Sequence, residues 1–179
     1  KIVDNNNGTF TATTADNSTI TLVDDGGAII QDNGTVVSVD SNGNGTPDVT
    51  VESGSDIVSD GSTLQTTLAS GEVISTQANS AAVINNNGGN SVTITNTDGS
   101  AITVDLTGDG TPDAIITSGM TVADAGSGQV AITDADGDTV TIPANSDVTI
   151  GNAAVGTIAV DLDNNATDDV TVPNGATVV

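Results

Sequence analysis

Asp, Asn and Thr recur at fixed spacing in three segments of the sequence: DSNGNGTPDVTV from Asp40, DLTGDGTPDAII from Asp105 and DLDNNATDDVTV from Asp161. Each segment places oxygen-bearing side chains at loop positions 1, 3, 5 and 9. These are Asp40, Asn42, Asn44 and Asp48 in the first, Asp105, Thr107, Asp109 and Asp113 in the second, and Asp161, Asp163, Asn165 and Asp169 in the third. A small residue (Gly45, Gly110 or Ala166) holds position 6, Pro47 and Pro112 stiffen two of the exits, and an apolar-x-apolar strand follows. Alternate residues of a tight loop point at one centre, and calcium takes about six to eight oxygen ligands. The chemistry predicted is therefore calcium coordination. By analogy with calcium loops in general, the position-7 carbonyls of Thr46, Thr111 and Thr167 would supply a further ligand each. The first loop has only two carboxylates, Thr107 is a weak ligand, and Ala166 replaces a turn glycine, so affinities of order 10⁻⁴ to 10⁻³ M are expected, the range of extracellular calcium modules.

At these residues the pattern resembles the Asp-x-Asp/Asn-x-Asp/Asn-Gly-x-x-Asp loops of FG-GAP/VCBS-type and large bacterial adhesin repeat proteins. The resemblance covers the three loops and the DADGDTVTI hairpin, and it implies calcium-binding hairpin loops in a surface repeat protein. Asp134, Asp136 and Asp138 in that hairpin lack a ninth-position carboxylate and read as a plain turn or a weak fourth site. Asp24 and Asp25 read as turn residues.

The remaining composition excludes more than it offers. One basic residue, Lys1, stands against 24 acids, for a net charge of −23, and Phe10 is the only aromatic. Without His or Cys, the usual zinc, copper and iron ligands are missing, and Ser-His-Asp or cysteine nucleophiles cannot be built. A chain this acidic repels nucleic acid, and it has no basic clamp or glycine-rich loop for nucleotide phosphates. Paired carboxylates could hydrolyse glycosidic bonds, but the aromatic and basic side chains that line sugar sites are absent. No enzymatic activity is expected. No apolar run approaches the ~18 residues needed to span a membrane, and Lys1 opening into IVDNNNGTF reads as the start of a processed, secreted chain.

The elements that must position the loops are strands. Short Val, Ile and Thr runs such as STITLV, TVVSV, VTITN and TVTI alternate with period 2. Between them stand Asn33-Gly34, Asn87-Gly88, Asp98-Gly99, Asp136-Gly137 and Asn174-Gly175, dipeptides that supply the positive φ of tight hairpins. SDGSTLQTTLASGEVIS comes nearest to a helix and is too rich in Ser, Thr and Gly to be one. Five Asn-x-Ser/Thr sequons (Asn7, Asn17, Asn33, Asn44, Asn165) fit the composition without implying glycosylation. The Thr pairs Thr19/Thr21, Thr93/Thr95 and Thr139/Thr141 read as the solvated face of a sheet, with an ice-binding face as the sharper alternative.

Surroundings recur with the loops, which marks an internal repeat. Asn17-Ser18, Asn90-Ser91 and Asn145-Ser146 open the copies, and each post-loop strand closes on Gly in VTVESG, AIITSG and VTVPNG. The expected organisation is an N-terminal hairpin (1–16), repeat 1 (17–89), repeat 2 (90–144) and a shortened repeat 3 (145–179), forming one continuous unit. Repeat 2 continues into a hairpin, QVAITDADGDTVTIPANS, that repeat 3 does not reach. The segment KIVDNNNGTFTATTADNS matches that hairpin in pattern, so the chain reads as three repeats divided in the middle of one. Such a hairpin could close the fold internally, complete a neighbouring subunit head to tail, or simply sit at a sheet edge.

The fold class expected is all-β, a mainly antiparallel sandwich or jelly-roll-like body, with a β-solenoid as the alternative. Small aliphatic residues must fill a thin core almost alone. The function expected is that of an extracellular, calcium-stabilised subunit of a filament, tube or surface layer, with other copies of itself as partner. A calcium-dependent adhesin recognising carbohydrate or ice is the alternative.

Overall fold

A computed structural model describes residues 1–23, 27–146, 148–163 and 165–179; Asp24 and Asp25 lie outside the described residues. Alternation sets the local structure. In Thr19–Val23, Ile20 and Leu22 are fully buried while Thr19, Thr21 and Val23 stay half-buried, and the same two-residue rhythm repeats in strand after strand. No described residue is helical. The Ser- and Gly-rich stretch from Ser59 to Ser75 is extended as well, because Leu64 and Ile74 fall on one face at strand spacing.

The chain lays down β1 (Ile2–Asp4), β2 (Thr9–Thr13) and β3 (Thr19–Val23) in sheet A. It crosses to sheet B for β4 (Ile29–Asp32), β5 (Val36–Asp40) and β6 (Val49–Glu52). It then returns to sheet A for β7 (Asp56–Ser59), β8 (Thr63–Thr67) and β9 (Val73–Gln77). Pairs follow: β10 (Ala82–Asn86) and β11 (Ser91–Thr95) in sheet B, β12 (Ile102–Asp105) and β13 (Ala114–Ile116) in sheet A. Sheet B then gains β14 (Met120–Gly126), β15 (Gln129–Thr133) and β16 (Thr139–Pro143). Sheet A gains β17 (Thr149–Asn152), β18 (Thr157–Asp161) and β19 (Val170–Pro173), and β20 (Ala176–Thr177) lies in sheet B.

Within each sheet, spatial order follows chain order from one end to the other. The result is an open two-sheet sandwich, mainly antiparallel as expected, and not a closed barrel. Its axial advance is a property it shares with a solenoid, but its strands are joined by hairpins and crossings. A parity rule explains the mixed ladders. The chain reverses at every turn, so a crossing of three strands brings it back parallel, as in β3/β7, β6/β10, β13/β17 and β16/β20. A crossing of two strands brings it back antiparallel, as in β9/β12 and β11/β14.

Inward residues of both sheets merge into one aliphatic core, which includes Ile20, Ile57 and Ile74 from sheet A and Val39, Ile94 and Ile132 from sheet B. Met120 is fully buried, whereas Phe10 is only half-buried at its margin. Each full burial of such a side chain contributes about 1.5–3 kcal/mol. The core is open at both ends. Apart from Val58 and Val83, the exposed large aliphatic residues lie on edge strands or beside them. Ile2, Val3 and Ile29 mark one end; Val155, Leu162, Val170 and Val179 mark the other.

Residues 1–16 form an edge hairpin of sheet A. β1 pairs with β2, and β2 pairs with β3 of the same chain. The hairpin it was matched with in sequence, β15–β16, is followed instead by a crossing to the opposite sheet.

Candidate metal centres

Each acidic loop joins two antiparallel neighbours: β5 to β6 in sheet B, β12 to β13 in sheet A, and β18 to β19 in sheet A. The first loop follows an odd-numbered strand and the other two follow even-numbered strands. Strict reversal therefore puts the first on the opposite rim of the sandwich from the second and third.

Position 1 organises every loop. The Asp40 carboxylate accepts the N–H groups of Gly43 at 2.7 Å and Gly45 at 2.7 Å. Asp105 does the same for Gly108 at 2.7 Å and Gly110 at 2.8 Å. Asp161 accepts those of Asn165 at 3.3 Å and Ala166 at 2.8 Å. All three carboxylates are buried, and the backbone amides supply the hydrogen bonds that buried polar groups require. Position 5 fixes the second turn, since Asn44, Asp109 and Asn165 accept the N–H of Thr46, Thr111 and Thr167 at 2.8, 2.8 and 2.9 Å.

Position 9 closes the loop onto its own start. Asp48 Oδ2 accepts the Ser41 N–H at 2.7 Å, Asp113 Oδ2 that of Leu106 at 2.8 Å, and Asp169 Oδ2 that of Leu162 at 2.9 Å. In the first two loops the other oxygen reaches across the sheet. Asp48 Oδ1 accepts the Asn79 N–H at 2.8 Å, and Asp113 Oδ1 accepts the Asn145 N–H at 3.2 Å. Asn79 also accepts the side-chain amides of Asn42 and Asn44, at 2.6 and 2.9 Å.

The three loops differ in how far their acids converge. In the third, carboxylate oxygens of Asp161, Asp163 and Asp169 lie within 4.8 Å of one another, with Asp161 buried and the other two exposed. Like charges that close repel unless a cation sits among them, so this triad could hold a metal ion. It is the one such acidic group among the described residues. The acids of the second loop do not gather in this way, and the first loop has Asn at positions 3 and 5. Asp134 accepts the N–H of Asp136 at 3.0 Å and of Asp138 at 2.9 Å, and Asp138 accepts the Gly156 N–H. That geometry is a self-satisfied turn. Outside the loops, the Thr63 and Ser62 amides and the Ser62 hydroxyl hold the Asp60 carboxyl below the usual carboxylate range.

Two features of the loops were not read from the sequence. Asn79, not Asn90, is the counterpart of Asn145; Asn90 lies in the β10–β11 turn, and the dipeptide Asn79-Ser80 carried the signal. Position 4 is glycine in the first two loops because a neighbouring backbone passes close by. A Cβ on Gly43 would lie 2.0 Å from the Gly27 carbonyl oxygen, and one on Gly108 would lie 2.7 Å from that of Gly71. No protein family and no curated protein matches this chain.

Proposed function

We propose that this protein is an extracellular structural subunit, stabilised by calcium, that builds a filament, tube or surface layer by strand complementation between copies. The observation that carries this reading is the linear strand order. Both sheets advance along one axis and, among the described residues, present unpaired edges at each end, β1 and β4 at one and β19 and β20 at the other. Exposed sheet edges pair readily with other chains unless they are shielded, and here exposed aliphatic residues flank them. Hydrophobic exposure of this kind marks interaction surfaces.

Calcium is the cement in this reading. The converging triad of the third loop supports it directly, and the shared backbone geometry of the other two loops supports it by kinship, as does the resemblance to adhesin-type calcium loops. With Asp40, Asp105 and Asp161 held by amides, the remaining carboxylate and carbonyl oxygens would complete a shell around the ion. A composition without basic clamps, histidine or cysteine favours assembly over catalysis. No described helix is long and apolar enough to cross a membrane.

Truncation is the first test. Removing residues 1–16 should leave a folded chain that no longer polymerises in calcium; normal polymers from the truncated chain would refute strand complementation. A second reading, an adhesin, draws on the outward row Thr11, Thr21, Val58, Gln65, Ser75 and Thr103, which lies in register across sheet A. It expects a monomer that binds carbohydrate or ice.

A further inference from the structure

Each returning strand in the two complete loop units enters in the same way. Asn79 and Asn145 both adopt left-handed backbone, φ +66° and +58°, and each gives its N–H to the position-9 Asp of the strand it joins. The chain then runs on parallel to the post-loop strand, Ala82 beside Val49 and Thr149 beside Ile115. A left-handed Asn followed by Ser at the start of a parallel-returning strand is thus the key, and the Oδ1 of the position-9 Asp is the lock. Asn90-Ser91, φ +55°, has the same backbone in the β10–β11 hairpin turn and bonds no such Asp among the described residues.

At β19 the lock is present without its key. Asp169 Oδ2 holds the Leu162 N–H as in the other loops, but among the described residues no hydrogen bond reaches its Oδ1. Among the described residues the outer edge of β19 has no partner strand.

A matching key lies at the opposite end of sheet A. Asn17, with φ +70°, precedes Ser18 and β3. The strand before it, Thr9-Phe10-Thr11-Ala12, repeats the outward Thr and inward apolar pattern of Thr139-Val140-Thr141-Ile142, the strand that precedes Asn145. Val140 and Ile142 are fully buried, whereas Phe10 is only half-buried and Ile2 is exposed on its own edge. Parity selects the same junction. β20 joined by β1 and β2 of another copy would make a three-strand group in sheet B, like β14–β15–β16, and such a group returns the chain parallel.

We propose that the β1–β2 hairpin leaves β3 and completes sheet B of a second copy beside β20, while β3 pairs in parallel with β19 of that copy and the Asn17 N–H bonds Asp169 Oδ1. This rests on the strand-complementation reading above and specifies its seam. The loop units set the register: Val170 falls beside Ile20, and Thr171 beside Thr21. Phe10 and Ile2 then enter the core of the neighbour. Lys1, the only basic residue, is carried to an end that bears Asp161, Asp163, Asp168 and Asp169.

The chain has no cysteine, so disulfides test the exchange cleanly. Thr11 and Thr21 face each other across β2 and β3, with their hydroxyls 3.0 Å apart. Oxidised Thr11→Cys/Thr21→Cys should remain monomeric in calcium by light scattering, and reduction should restore polymers. The pair Thr21→Cys/Thr171→Cys should give a ladder of covalent multimers on a non-reducing gel. Polymers from the oxidised first variant, or no inter-chain bond in polymers of the second, would overturn the exchange while leaving assembly standing. Absence of polymers from the parent chain would overturn both.

Discussion

Asp48 and Asp113 each hold backbone amides from two separate parts of the chain, and both are fully buried. Charge-assisted bonds of this kind contribute about 1.5–3 kcal/mol each. Asp48→Ala and Asp113→Ala should therefore each lose several kcal/mol in urea unfolding, while Asp169→Ala, exposed at an edge, should cost the monomer far less. Ala166 sits at φ +66°, a conformation that costs an L-residue about 1–2 kcal/mol and glycine almost nothing. Ala166→Gly should raise the melting temperature of the metal-free chain, and no change would mean the loop relaxes freely. Asp60 gives a pH test. Its bonds lower its pKa in the folded state, so they contribute stability above the ordinary carboxylate range and lose it as pH falls through the lowered value. Asp60→Ala should melt lower than the parent at neutral pH, with the difference closing in acid as the Asp60 carboxyl takes up its proton. At this scale positions 1 and 9 were legible because spacing alone reveals carboxylates that can meet. Asn79 was not, since its partner lies 31 residues away, and nothing in the local sequence distinguishes it from Asn90.

Hairpins were legible in part, for a local reason: Gly34, Gly88 and Gly137 adopt the positive φ that their Asn-Gly and Asp-Gly hairpin turns require, whereas Gly99 and Gly175, read as hairpin turns too, take the same φ in crossings from one sheet to the other. Sheet membership was not. A strand such as Thr19–Val23 states which of its faces is apolar, but β9 and β11 share one alternation and enter different sheets. The allocation depends on whether a connection is a tight turn or a crossing, and the two share their residues: Asn79-Ser80 stands in a crossing and Asn90-Ser91 in a hairpin turn. Inner hydroxyls are a further departure from simple patterning. Thr66 and Thr76 point inward on β8 and β9, buried, and neither hydroxyl has a partner among the described residues. An unsatisfied buried hydroxyl costs about 1–3 kcal/mol. Thr66→Val and Thr76→Val should stabilise the fold in denaturant titrations. If they instead destabilise it, an unseen partner, such as a bound water, satisfies those groups.

For the molecule as a whole, charge and shape act together. Acids outnumber bases 24 to 1, so self-repulsion opposes the compact state, and any cation bound only by the native fold offsets it by mass action. At free calcium tenfold above the dissociation constant, each site would add about 1.4 kcal/mol. Chelation should therefore lower the melting temperature, and magnesium should restore it poorly, because it demands a smaller octahedral shell. An unchanged melting temperature would reduce the loops to ordinary turns. The axial advance of both sheets supplies the most direct test of assembly. Twenty strands divided between two sheets, at ~4.8 Å per strand, set a rise of roughly 50 Å per subunit if the sandwich continues from copy to copy. Electron microscopy of the purified chain in millimolar calcium should show filaments with that axial repeat. Isolated particles, or filaments whose repeat bears no relation to the strand count, would contradict the account.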